Sequence, residues 1–122
     1  MPHLTIQATA NVVIKQPETL LRALNQALWD SGEFRQPNDI KARILPIEAF
    51  LVGVEDDEQT QGFVYVQLRL LAGRDEQVKQ KLASALSETL KQHLMIHKSN
   101  RVSVQLCVEV LEIAQVYHKQ LL

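Results

Sequence analysis

Met1-Pro2-His3-Leu4-Thr5-Ile6-Gln7-Ala8-Thr9 opens the chain. Leu4, Ile6 and Ala8 alternate with Thr5, Gln7 and Thr9, the period-two pattern of a strand with one buried face. An initiator methionine before a small residue such as proline is usually removed. Removal here leaves Pro2 with a free secondary amine at the tip of a core strand. Generic α-amino groups have a pKa of about 7.7–8.0, and burial or a nearby cation lowers it. A base poised near the working pH suits proton transfer. Proline is about one residue in twenty anywhere, so the case for such a base rests on the rest of the chain.

Outward from this strand, Gln16-Pro17-Glu18-Thr19 opens a helix, with proline in the first turn where its missing N–H costs least. Leu20, Leu21, Leu24, Ala27 and Leu28 follow at helical spacing, and Gly32 ends the run. A second strand is expected from Ile40, with Ile40, Ala42 and Ile44 alternating with Lys41 and Arg43. Pro46 makes the stretch from Ile47 to Val52 an edge or a separate strand piece. Gly53 to Gly62 is acidic and polar, a surface loop or hairpin. Its Asp56-Asp57-Glu58 lacks calcium-loop spacing and reads as a solvated charge run. Phe63 to Leu71 is the third strand, with Val64, Val66, Leu68 and Leu70 on one face. Ala72-Gly73-Arg74-Asp75 turns into a second helix with Asp75 as N-cap. Val78, Leu82, Leu86, Leu90 and Leu94 form its apolar stripe. Arg101 to Leu111 is the fourth strand, and Ala114 to Leu122 is a short helix or an arm.

The order is βαβ followed by βαβ, with parallel strands expected within each half. Two helices cover one face of a four-stranded sheet. The other face carries Thr5, Gln7, Tyr65, Gln67, Arg69, Ser103 and Gln105, which suits either solvent or other copies of the chain.

The chain has 122 residues, 46% of them hydrophobic, with a formal net charge of −1. That length suits one domain, residues 1–122, with residues 113–122 as a tail. The charge makes no electrostatic case for nucleic acid or an anionic membrane. No apolar run approaches the roughly 18 residues of a membrane span, and no basic-then-apolar secretory signal opens the chain. Cys107 is the only cysteine, so an internal disulfide and a thiolate zinc cluster are excluded. A cytoplasmic location is expected.

Three cations stand out. Lys41 and Arg43 project from one side of the second strand. Arg74 sits where the third strand gives way to a helix, beside N–H donors suited to an anion. Together they suit carboxylates, which arginine grips as a two-pronged fork. The histidines form no metal set: His93 and His97 lie on a polar helix end without a zinc-protease glutamate. His118 lies in the tail with Tyr117 and Lys119, and His3 alternates away from the apolar face. Cys107 reads as a packed thiol.

Met1-Pro2-His3 opening a strand, Ile40-Lys41-Ala42-Arg43 after the first helix, and Phe63-Val64-Tyr65-Val66…Leu71-Ala72-Gly73-Arg74 before the second together resemble the 5-carboxymethyl-2-hydroxymuconate Δ-isomerases of the tautomerase superfamily. The resemblance runs from Met1 to about Leu111. It implies an α+β, β-α-β repeat tautomerase-like fold with a four-stranded mixed sheet and two helices on one face. It also implies a homotrimer, no cofactor, and isomerisation of a small carboxylate substrate met in the breakdown of aromatic acids. By position, Pro2 matches the family's catalytic proline and Arg74 the arginine of its Ala-Gly-Arg turn. Lys41 and Arg43 fall on an Ile-Arg-Ser-Arg stretch whose first arginine has a substrate role. Lys41 there keeps the charge and loses the planar fork. A βαββαβ order also describes ferredoxin-like binding or regulatory domains, as does a trimeric tautomerase fold kept without the chemistry; these are the alternatives.

Overall fold

In the computed structural model, which describes residues 1–97 and 101–122, strand β1 spans His3–Thr9. Helix α1 follows at Pro17–Asp30, then β2 at Lys41–Ile47 and β3 at Gln61–Leu70. Helix α2 spans Glu76–His97 and β4 spans Ser103–Glu112. The side chain of His97 and the residues just after it lie outside the described residues, so the His93/His97 pairing does too.

The sheet order is β2-β1-β3-β4. β1 runs parallel to β2, β3 parallel to β4, and β1 antiparallel to β3. In a ferredoxin-like split βαβ the two parallel strands of a unit are separated by another strand. Here β1 pairs directly with β2 and β3 with β4, so that alternative is excluded by topology.

Both helices lie on one face. Leu4, Ile6, Val64, Val66 and Leu68 are fully buried against Leu20, Leu24, Leu28, Leu82, Leu86 and Leu90. Each such side chain contributes about 1.5–3 kcal/mol of burial. The termini follow local chemistry. Pro17 stands in the first turn of α1, and Gly32, at φ +78°, donates its N–H to Trp29 O beyond the end. Asp75 caps α2 by accepting the Val78 N–H at 2.9 Å.

Two expectations need correction. Strand β2 passes through Pro46 to Ile47, and residues 48–52 form no strand. Proline is tolerated because β2 is the sheet edge, where a missing N–H breaks no ladder. Asp56 is more than a solvated charge: its carboxylate accepts the N–H groups of Thr60 and Gln61 and the Thr60 hydroxyl, closing the loop before β3. Those bonds hold its pKa below the ordinary carboxylate value. The tail forms no helix; it is an extended arm.

Candidate active site

The topology gathers one end of every strand. His3 lies opposite both Lys41 and Arg69, and Arg69 lies opposite Leu111. The start of β1, the start of β2, the turn after β3 and the tail after β4 therefore share one sheet end. Parallel pairing of β1 with β2 brings Pro2 beside Lys41; antiparallel pairing with β3 brings it beside the Gly73–Arg74 turn.

Pro2 is buried, and its carbonyl accepts the Lys41 N–H at 3.1 Å. Lys41 is half-buried and its Nζ donates to the Asp39 carbonyl at 2.7 Å. Arg74 donates from Nη2 to the Glu33 carbonyl at 3.0 Å, with its guanidinium 5.1 Å from the centre of the Phe34 ring. That stacking fixes the plane of the fork. The Met1 amine has its pKa pushed below the ordinary 8.0, chiefly by burial. Asp39 opposes the shift, while Arg74, Lys41 and Lys119 add to it. An amine in this place is kept closer to its neutral, basic form.

Of the residues expected from sequence, Pro2, Lys41 and Arg74 thus share one neighbourhood. Arg43 lies two residues along β2, on the sheet face away from the helices. Its Nη1 donates to Thr5 Oγ1 at 3.1 Å and its Nη2 meets His3 Nδ1 at 3.0 Å. Arg43 therefore reaches the amine only through His3.

Sequence reasoning missed four neighbours: His3, Asp39, Tyr117 and Lys119. An arginine always donates, so His3 Nδ1 accepts and the neutral ring carries its proton on Nε2, facing Tyr117 Oη at 2.8 Å. Lys119 Nζ lies 3.4 Å from Asp39 Oδ1 and 2.8 Å from Met1 Sδ. Only the adjacency of His3 to Pro2 was a signal in the sequence. The tail contacts span 114 and 118 positions, beyond any local pattern. Among the described residues, no group of three or more His, Cys, Asp or Glu is placed to hold a metal ion, and no helix is long and apolar enough to cross a membrane.

The family sequence model described as 5-carboxymethyl-2-hydroxymuconate isomerase matches residues 2–121. A 5-carboxymethyl-2-hydroxymuconate isomerase from Deinococcus radiodurans R1 is similar in structure, with TM-score 0.84 and 28% identity over 97% of this chain and 88% of that one. A 5-carboxymethyl-2-hydroxymuconate delta-isomerase gives 0.83 and 21% over 99% and 88%. A fused 4-OT wild-type symmetric trimer gives 0.64 and 23% over 92% and 87%. No curated protein sequence matches significantly.

Proposed function

The chain belongs to the 5-carboxymethyl-2-hydroxymuconate isomerase family, and from that premise we propose that Pro2, freed by removal of Met1, is the base of a proton shift. The protein is a cofactor-independent isomerase of the tautomerase type. Its substrate is an unsaturated 2-hydroxy or 2-oxo acid with carboxylates, met in the degradation of aromatic compounds in the cytoplasm. Neither nucleic acid nor membrane is a partner. The Pro2 amine takes the proton of the enol hydroxyl. The O–H electron pair closes a carbonyl, the double bonds move along the chain, and the ammonium returns the proton to a distant carbon. Arg74 and Lys41 hold a carboxylate and stabilise the enolate charge that develops. Arg43 acts from one step further out, by steering His3. The working form is a homotrimer of single-domain chains, each presenting the half-polar sheet face to its neighbours.

One observation carries this reading: the chain's first residues, Lys41 and Arg74 meet at one sheet end, where the amine's pKa is pushed down. The test compares processed wild type, processed Pro2→Ala and protein retaining Met1, on 2-hydroxymuconate across neutral pH. Activity is expected to fall in that order, because alanine offers a primary amine of different geometry while Met1 converts the proline nitrogen into a non-basic amide. The first and last should differ by about 10²–10⁴-fold. Equal activity of processed and Met1-retained protein overturns the role of Pro2.

A further inference from the structure

We propose that Lys119, on the C-terminal arm, is a substrate-binding residue that makes the site selective for acids with two or more carboxylates; this rests on the reading of the site given above. The arm leaves β4 with Ile113 N–H bonded to Leu70 O at 2.7 Å. It crosses the sheet end from the β4 edge towards the β2 edge and is pinned halfway by Tyr117 on His3. Lys119 then arrives at Met1 from the side opposite β2, the source of Lys41.

Met1 stands among these groups. Its sulfur contacts the Lys119 ammonium, and Arg74, Lys41 and Lys119 all lower the pKa of its amine. The space Met1 fills, directly ahead of Pro2, is the space a ligand of the Pro2 amine enters once Met1 is gone. Three cations from three separate elements border it, against the single carboxylate of Asp39. That imbalance attracts anions. The Lys119–Asp39 pair is also easily exchanged. At 3.4 Å, with the lysine side chain 34% exposed, it belongs to the weak class of ion pairs. A thioether is a poor acceptor for an ammonium, so a substrate carboxylate is the better partner. Arg74 and Lys41 suffice for one carboxylate; Lys119, from across the opening, serves a second.

The experiment uses Met1-processed protein with Lys119 changed to Ala or to Arg. With 2-hydroxymuconate, a dicarboxylate, Lys119→Ala is expected to raise KM by about ten-fold while kcat stays within about two-fold, the mark of lost ground-state binding. With phenylenolpyruvate, a monocarboxylate, KM should not move. Lys119→Arg should restore the dicarboxylate KM, which a merely structural role of the arm does not predict. Calorimetry with adipate and with hexanoate gives a readout independent of turnover: Lys119→Ala should weaken adipate alone. Equal KM changes on both substrates, no change on either, or adipate binding that is absent or unaffected by the substitution overturns the proposal. An inactive wild type refutes the isomerase mechanism, and the adipate titration still decides the role of Lys119.

Discussion

His3 shows how one residue couples the site to pH. It lies between Arg43 at Nδ1 and Tyr117 at Nε2. Burial first, then Arg43, Lys41, the chain amine and Lys119 push its pKa below the ordinary 6.5. The unfolded chain therefore binds the imidazole proton at a pH where the folded chain does not. Stability from this group is complete above about pH 6.5 and falls as pH drops through the folded value. Protonation also turns Nδ1 into a donor facing the Arg43 donor, so that bond is lost. Thermal melts at pH 7.5 and pH 5.5 should show a larger acid loss for wild type than for His3→Gln, which has no titrating group there. Equal losses would mean that His3 does not titrate across this window.

At the scale of elements, the entry of β3 is tied to the exit of β1 by a polar knot. Thr9, the one buried polar residue among the described ones, donates to Asn11 Oδ1 at 2.8 Å and accepts the Phe63 N–H at 3.1 Å. Asn11 Nδ2 donates to the Gln59 and Gln61 carbonyls. Gly62 passes so close that a Cβ there would stand 2.7 Å from Asn11 Oδ1 and 2.8 Å from Thr9 Oγ1. Both oxygens are held by their bonds and cannot swing aside freely. Gly62→Ala should cost about 1–3 kcal/mol in urea unfolding, the usual range for overpacking. Asn11→Ala in the same chain should recover part of that loss by removing the nearer clash; if the two losses simply add, the clash is not the cause.

At the scale of the whole molecule, the sheet face away from the helices is neither dry nor freely solvated. Gln67 donates to Glu109 at 2.8 Å, and the Tyr65 hydroxyl also bonds Glu109, which raises the tyrosine pKa and lowers the glutamate's. Leu45 on the same face is 45% exposed, and Phe63 and Cys107 are half-buried. Satisfied polar groups between apolar ones suit contact with further copies of the chain. Light scattering at micromolar concentration should return a mass of three chains; a monomer or a dimer would rule out the homotrimer.

The sequence by itself determined the elements and their inward faces. Leu4, Ile6 and Ala8, then Val64 to Leu70 at alternate positions, then Leu82, Leu86 and Leu90 at helical spacing lie where they are buried, because periodicity is a local property of the backbone. Pro17, Gly32 and Asp75 marked helix ends for equally local reasons. The tolerance of Pro46 was not legible, since it depends on β2 being the outermost strand. The surroundings of Pro2 were legible only in part. Lys41 and Arg74 carry a visible family pattern, whereas Asp39, Tyr117 and Lys119 carry none. Only tertiary structure decided that the arm after β4 ends beside Met1, and that Arg43 serves His3. The reason is physical. Strand order and parallel or antiparallel sense fix which chain ends meet, and those are set by long-range burial of the whole sheet rather than by any stretch of residues.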